Sequence, residues 1–328
     1  MRGRRLLTIP GYLLAWAFCV GAAPLWLPLA AAADALRRSG GTALRLGALL
    51  TWFFTCELLG IGISAALWLL RAAGRIDAER WSNLHYRLEG WWANALFRGV
   101  VRLFGLRIVV EQDAADLGRG PYLLLLRHVS MGDTLLASVL VCRPTGMRFR
   151  FVLKRELLWD PCLDIVGNRL PNVFVDRFAE DSASEIERMQ ELARDLGQRD
   201  GVLIYPEGTR FTPAKRARVL ARLERADDAK MLEYARSLEA VLPPRPGGTL
   251  GLLEAAPQAD VVVCSHTGFE GAGSFTDLWK GALLHRTIRV QFRRIPRAEI
   301  PPDRDARLDW LRDEWRRVDT WVAAQSSS

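Results

Sequence analysis

A histidine and an aspartate stand five positions apart in the segment RHVSMGD, as His128 and Asp133. The apolar run YLLLL comes directly before this segment and is typical of a buried strand. A neutral histidine is the usual base for removing a proton from a hydroxyl, and a carboxylate can fix its tautomer and stabilise its charge. If His128 follows the strand and Asp133 lies in the first turn of a helix, the two side chains can meet. A buried histidine beside a helix-capping aspartate fits the same spacing, so the H-x4-D pattern alone leaves both interpretations open.

Further polar residues follow other apolar runs. The segment YPEGTRF supplies Glu207, Gly208, Thr209 and Arg210. The glycine permits a tight turn, and the arginine can clamp a phosphate. Glu207 can bond Arg210 or a substrate hydroxyl.

Two more cations follow predicted strands. VFVDR ends in Arg177, and FVLKREL contains Lys154. Together with Arg210, they place positive charge after three different strands. This pattern predicts an anion-binding site at one edge of a sheet.

Short β-rich segments alternate with helical segments from about residue 106, which predicts an α/β domain with a mostly parallel sheet flanked by helices. The helical segments include DTLLASVLVC and SASEIERMQELARDL. In such sheets, ligands bind beyond the carboxyl ends of the strands, where the polar residues above fall. The predicted strands are LRIVVEQ, YLLLLRH, RFRFVLK, NVFVDR, GVLIYPEG, ADVVVCSHTGF and, as an edge strand, TIRVQFRRI.

Two long apolar runs precede this domain. The first, Gly11 to Ala33, carries no charge, and the second, Leu46 to Leu70, carries only Glu57. A helix that spans a bilayer needs about 20 apolar residues, so we expect a membrane-embedded helical hairpin. A cleaved signal peptide is the main rival interpretation of the first run. For Glu57 we expect a hydrogen bond between paired helices.

Composition restricts the classes of partner. The net charge of +8 comes mostly from arginine, which suits anionic lipids, phosphorylated substrates or nucleic acid. Because the chain has no zinc-finger spacing, no basic heptad helix and no glycine-aromatic RNA-binding pattern, we predict no nucleic-acid partner. The five cysteines are scattered and odd in number, which is typical neither of a disulfide framework nor of a zinc site.

The segments HVSMGD, VFVDR and EGTRF, in this order and at these separations, resemble the glycerolipid acyltransferase family, the lysophosphatidic acid acyltransferase-like enzymes. The resemblance covers about residues 80 to 300. It implies transfer of a fatty acyl group from acyl-CoA or acyl carrier protein to the hydroxyl of a lysophospholipid. It implies no metal and no cofactor, and the acceptor that we expect is lysophosphatidic acid, which would give phosphatidic acid.

The resemblance also implies roles for individual residues. His128 would be the general base and Asp133 its orienting partner. Three positions depart from the family pattern: Arg127 replaces a frequent asparagine, Met131 replaces a frequent aromatic residue, and VVVCSHTGF lacks a frequent proline. The residues implied in substrate binding are Lys154, Arg177, Glu207, Gly208, Thr209 and Arg210.

We therefore expect a membrane hairpin over residues 1-75, an acyltransferase domain over 76-300 and a C-terminal amphipathic helix and tail over 301-328. The expected partners are the lipid bilayer, a lysophospholipid and an acyl donor. The expected location is a membrane, in bacteria the inner membrane, with the catalytic domain facing the cytoplasm. An acyl-CoA thioesterase or lipid hydrolase is the alternative enzyme, although the chain has no G-x-S-x-G segment. A non-catalytic lipid sensor is the alternative outside enzymes.

Overall fold

The computed structural model describes residues 2–111, 117–175 and 182–326. Its apolar N-terminal part consists of α1 (Arg2–Gly21), α2 (Ala23–Arg37) and α3 (Thr42–Ala72). The axes of α1 and α2 form an angle of 69°. The break falls just before Pro24, which stands in the first turn of α2, because a proline removes a backbone donor and is best tolerated at a helix start. Among the described helices, α3 is long and apolar enough to cross a membrane, and the bent pair α1–α2 would be a second candidate.

Helix α3 packs antiparallel along α4 (Ala78–Phe104). The indole N–H of Trp52 donates to the Ala95 carbonyl at 2.9 Å. One turn and a half further along α3, Glu57 accepts the indole N–H of Trp92 at 2.7 Å. This bond confirms the expected helix-pairing role of Glu57.

Both ends of α3 contact the domain that follows. At its start, a Cβ on Gly281 would lie 3.3 Å from Thr42. Near its end, the guanidinium of Arg169 donates to the Ser64 carbonyl at 2.9 Å. The helix therefore lies across the surface of the domain between Thr42 and Ser64.

Seven strands form one sheet in the order β1-β7-β6-β2-β5-β3-β4. Strands β2 to β6 run parallel, whereas β7 is antiparallel to β6 and pairs in parallel with β1. The sheet is therefore mostly parallel, as expected. The prediction that TIRVQFRRI is an edge strand was wrong, because β1 pairs with its outer side. The strands are β1 (Arg107–Val110), β2 (Tyr122–Leu126), β3 (Arg148–Lys154), β4 (Val173–Val175), β5 (Asp200–Ile204), β6 (Asp260–Thr267) and β7 (Thr287–Ile295).

Helices lie on both faces of the sheet. DTLLASVLVC forms a 3-10 turn over Gly132–Leu135 and a π-helical turn over Ala137–Cys142. Further 3-10 turns cover Arg155–Trp159 and Arg297–Glu299. The remaining helices are α5 (Arg143–Thr145), α6 (Pro161–Gly167), α7 (Ser182–Ala193), α8 (Pro213–Arg225), α9 (Ala229–Arg236), α10 (Pro246–Ala255), α11 (Phe275–Trp279) and α12 (Arg304–Ser326).

The buried strand β2 separates two hydrophobic cores. Because successive side chains of a strand point to opposite faces, Leu124 and Leu126 enter the core that contacts α3 and α4. Leu123 and Leu125 enter the core on the other face. Helix α12 contributes Leu311, Trp315, Val318 and Val322 to that second core, so its apolar side packs on the sheet. The boundaries expected at residues 75 and 300 stay predictions.

Candidate active site

His128 and Asp133 meet, as their spacing allows. Nδ1 of His128 lies 2.9 Å from Oδ1 of Asp133, and both residues are buried. The residues between them form a tight loop from the end of β2 to the 3-10 turn. Among the described residues, Nε2 of His128 has no hydrogen-bond partner. Nε2 is thus the nitrogen that is free to accept a proton.

The carboxylate of Asp133 also holds the backbone of this loop. Oδ2 accepts the N–H groups of Val129 at 2.6 Å and Ser130 at 2.7 Å. Burial alone would raise the pKa of Asp133, but the hydrogen bond and the charge of His128 outweigh it, and the pKa lies below its ordinary value. Asp133 is therefore an ionised partner for His128 at neutral pH.

Glu207 lies beneath the loop, away from solvent. Its Oε1 accepts the backbone N–H of His128 at 3.2 Å, and its Oε2 accepts that of Leu242 at 2.8 Å. Burial raises the pKa of Glu207 to about 7, although the hydrogen bond from Leu242 opposes this. The sequence interpretation offered Arg210 or a substrate hydroxyl as its partner. In the structure both carboxylate oxygens are occupied by main-chain amides.

The turn after β5 brings Arg210 close to the His128 loop. Gly208 has a φ of 66°, which side chains rarely adopt, and its N–H closes the turn on the Tyr205 carbonyl. Arg210 donates to the Gly273 carbonyl at 2.8 Å. The Thr209 hydroxyl accepts from Lys215 at 2.7 Å. Lys215 is a further cation at this turn that sequence reasoning did not single out.

The other two predicted cations have different outcomes. Lys154 is the last residue of β3, and β5 separates β3 from β2. Because these strands are parallel, Lys154 lies on the same edge of the sheet as His128 and Arg210. Arg177 lies outside the described residues.

One aromatic contact and one backbone hydrogen bond complete the surroundings of His128. The Tyr205 ring packs against its imidazole, with 4.3 Å between the ring centroids and 32° between the planes. The N–H of Phe211 donates to the His128 carbonyl at 2.7 Å. The YPEGTRF segment therefore contacts His128 through Tyr205, Glu207 and Phe211.

Arg127, which departs from the family pattern, points into the protein and is fully buried. Its guanidinium donates to Glu270 at 2.5 Å, to the His266 carbonyl at 2.6 Å and to the Ala240 carbonyl at 2.8 Å. Nε2 of His266 in turn lies 2.8 Å from the Arg127 carbonyl and 3.8 Å from Oδ2 of Asp133. Nδ1 of His266 is buried and has no hydrogen-bond partner in the described part of the chain. Sequence reasoning missed Glu270, because its bond to Arg127 joins residues 143 positions apart.

In this arrangement, His128 can remove a proton next to the cationic side chains at the carboxyl edge of the sheet. A histidine with one nitrogen bonded to a carboxylate and the other free is the arrangement that activates a hydroxyl. Among the described residues, no group of three or more His, Cys, Asp or Glu side chains could hold a metal ion.

Comparison with known proteins identifies the domain. Residues 107–267 match the family model of the Acyltransferase family. The chain is 24% identical over 280 residues to lysophosphatidylinositol acyltransferase 10 of Caenorhabditis elegans, covering 81% of this chain and 69% of that protein. It is also 24% identical over 267 residues to 1-acyl-sn-glycerol-3-phosphate acyltransferase epsilon of Mus musculus, covering 77% and 70%.

A solved structure is also similar. It is the crystal structure of the 1-acyl-sn-glycerophosphate acyltransferase PlsC from Thermotoga maritima, with a TM-score of 0.45 and 12% identity over 81% of this chain and 97% of that chain. The family match contains both His128 and the EGTR turn. Residues 107–267 therefore form an acyltransferase domain, and both relatives that the chain resembles over more than three quarters of its length are named as lipid acyltransferases.

Proposed function

We propose that this protein transfers a fatty acyl group from acyl-CoA or acyl carrier protein to the hydroxyl of a lysophospholipid, with lysophosphatidic acid as the acceptor and phosphatidic acid as the product. The observation that carries the proposal is the bond between Nδ1 of His128 and Asp133, which leaves Nε2 available. The names of the two curated relatives support the class of reaction.

The transfer needs one base and no covalent enzyme intermediate. Nε2 of His128 takes the proton of the acceptor hydroxyl while the hydroxyl oxygen attacks the thioester carbonyl. Asp133 stabilises the imidazolium that forms. The carbon–sulfur bond then breaks, the thiolate leaves, and His128 returns the proton to the sulfur. The products are the acylated lipid and the free thiol.

The acceptor's phosphate would bind among the cations at the carboxyl edge of the sheet. Arg210 stands beside the His128 loop, and Lys154 stands on the same edge. Arg177 belongs to this proposed set by its place in the sequence. These groups carry charge but no acid–base role, so they bind the acceptor rather than perform the chemistry.

The acceptor would come from the bilayer through α1, α2 and α3. These helices expose large apolar side chains on their outer side, among them Leu7, Leu14, Phe18, Leu25, Leu36, Trp68 and Leu69. Because α3 contacts the domain at both ends, we propose that the three helices lie in the plane of one leaflet, with the domain on a single side. In a bacterium this would be the cytoplasmic leaflet of the inner membrane.

Acyl transfer by membranes that contain the protein tests the proposal. Labelled oleoyl-CoA and acyl carrier protein would be supplied with a panel of lysolipids, and the His128→Ala variant would run beside the wild type. Labelled phosphatidic acid from the wild type alone is the expected result. Undiminished transfer by the variant would refute the role of His128.

A thioesterase or hydrolase is the competing function. It requires a nucleophile, and Ser130 is buried with its hydroxyl accepting the N–H of Gly132 at 2.9 Å. Measuring thiol release from acyl-CoA with and without a lysolipid separates the two functions. A hydrolase releases the thiol without the acceptor, whereas a transferase needs it.

A further inference from the structure

The short helix α11 exposes two aromatic side chains. Phe275 is 57% exposed and Trp279 is 38% exposed. A capping box between Ser274 and Asp277 fixes the start of the helix, so these aromatic residues are held in place. Exposed aromatic residues on a rigid element indicate a contact surface when they continue a larger apolar patch.

Helix α11 begins at the candidate active site. Gly273, two residues before Phe275, accepts the hydrogen bond of Arg210, and a Cβ on Gly273 would lie 3.8 Å from the Val129 carbonyl. Two residues beyond Val129, in the loop between His128 and Asp133, Met131 is 73% exposed. Phe275 and Met131 are thus exposed apolar side chains, each two residues from the contact between Gly273 and Val129.

The other end of α11 joins the N-terminal helices. The guanidinium of Arg37, at the end of α2, stacks 4.6 Å from the centre of the Trp279 ring and donates to the Trp279 carbonyl at 3.2 Å. Residues Thr42 and Gly281 continue this contact at the start of α3. The aromatic end of α11 therefore adjoins the end of α2, where Leu36 is 88% exposed.

The charges around α11 fit a lipid surface. Exposed cationic side chains flank the helix at Arg38, Lys280 and Arg286. Aromatic residues mixed with lysine and arginine are the composition of protein surfaces at the headgroup level of a bilayer.

We propose that α11 and Met131 form a second membrane contact, in which Phe275 and Met131 enter the headgroup–acyl boundary at the mouth of the active site. This inference rests on the proposed function for its substrate and on α1, α2 and α3 for the primary membrane contact. A lysolipid would then pass from the leaflet to His128 between these side chains without crossing water. Its acyl chain would stay in lipid while its hydroxyl reaches Nε2.

A depth measurement tests the contact without relying on activity. Phe275→Cys and Val110→Cys would be labelled with an environment-sensitive fluorophore in vesicles of phosphatidylethanolamine and phosphatidylglycerol. Val110 is the control because it is 37% exposed at the end of β1, at the sheet edge. The unsubstituted chain gives the background from its five cysteines.

Lipids spin-labelled near the headgroup should quench the label at position 275 and leave that at position 110 bright. Equal quenching at the two positions, or an aqueous emission spectrum at position 275, would refute the proposal.

Kinetics then connect the contact to acceptor entry. In the same vesicles, Phe275→Ser should raise the apparent KM for a long-chain lysolipid about three- to tenfold, as expected for losing one buried aromatic group, and leave kcat unchanged. A short-chain lysolipid added as monomers should not distinguish the variant, and Phe275→Trp should restore the wild-type KM. An equal effect on both acceptors would overturn the entry role. Absence of transfer by the wild type would instead refute the proposed function, and the depth measurement would still decide whether α11 touches the membrane.

Discussion

The side chain of Glu207 accepts a hydrogen bond from the backbone N–H of His128, so the carboxyl group of the EGTR turn holds the main chain of the proposed base. Its second oxygen holds Leu242, at the turn that precedes α10. Three segments that are distant in sequence are therefore joined at one buried carboxyl group. Because both oxygens are occupied by main-chain amides, Glu207 holds the backbone in this structure, and the proposed binding of the acceptor is assigned to Arg210 and the other cations.

Replacing His128 should remove most of the catalysis. We expect His128→Ala to lower kcat about 10²- to 10⁴-fold, the usual contribution of a general base, with little change in the KM for the lysolipid. Steady-state kinetics with both substrates varied would measure this. His285→Ala is the control, because that histidine is exposed at a turn. Comparable losses in the two variants would contradict the assignment.

Asp133→Asn should impair both the reaction and the loop. The carboxylate serves Nδ1 of His128 and two backbone N–H groups, whereas an amide offers only one accepting atom. We expect kcat to fall at least about 100-fold and the free energy of unfolding to fall by about 1–3 kcal/mol. Denaturant titration in detergent would report the second effect. Asp309→Asn, at an exposed residue, should change neither quantity.

Glu207→Gln and Arg210→Gln should differ in kinetic signature. In Glu207→Gln, one of the two accepting oxygens becomes an NH2 group, so one backbone N–H loses its acceptor. This variant should lower kcat while the KM for the lysolipid stays near the wild-type value. The second removes a cation and should raise that KM about tenfold or more, since hydrogen bonds to charged groups contribute about 1.5–3 kcal/mol. A raised KM with normal kcat in Glu207→Gln would instead make Glu207 a substrate ligand.

The raised pKa of Glu207 predicts a pH dependence of stability. Its folded-state value of about 7 lies above the ordinary value of 4.5. As pH rises, the Glu207 carboxyl group loses its proton at a lower pH in the unfolded chain than in the folded chain. Its contribution to the free energy of unfolding is therefore fully present below about pH 4.5 and is lost as pH rises towards 7, by about 3 kcal/mol in all. Glu207→Gln lacks this term, so it should gain stability relative to the wild type between about pH 5 and about pH 8. Denaturation curves with a constant offset between the two proteins would disprove the prediction.

Asp164 should anchor the start of α1. It is 1% exposed and accepts from Arg4 at 2.7 Å and from Arg5 at 2.6 Å. Losing one partner of a fully buried pair costs about 3–5 kcal/mol; since these arginines are 22% and 34% exposed, we expect Asp164→Asn to cost about 2 kcal/mol. Proteases should also cleave the N-terminal segment of the variant faster than that of the wild type. Asp313→Asn breaks an exposed pair on α12 and is the matched control; if both variants behave alike, the anchor is unimportant.

The sequence predicted the features that depend on the succession of strands and helices along the chain. Parallel strands bring their carboxyl ends to one edge of the sheet, so the alternation of strands and helices was enough to place His128, Lys154 and Arg210 at the same edge. The partners of Glu207 could not be predicted, because they are main-chain amides 79 and 35 residues away. Arg127 is a similar case, since a charged residue is expected at the surface unless its buried partners are known.

The order of the strands in the sheet could not be predicted from the sequence either. A strand with alternating polar residues, such as TIRVQFRRI, is typical of an edge, yet β1 pairs beside it after a separation of nearly the whole domain. Helix α3 shows the same limit, because its apolar residues indicate lipid and do not reveal that one side packs on α4.

The contacts of α3 have a practical meaning for producing the protein. Deleting residues 1–75 would remove Glu57 from Trp92, Ser64 from Arg169, and both arginines from Asp164. Such a truncated chain would expose a core surface and leave buried polar groups unpaired. A water-soluble form of this enzyme should therefore be sought by substituting the outward-facing residues of α1, α2 and α3 while the helices themselves are kept.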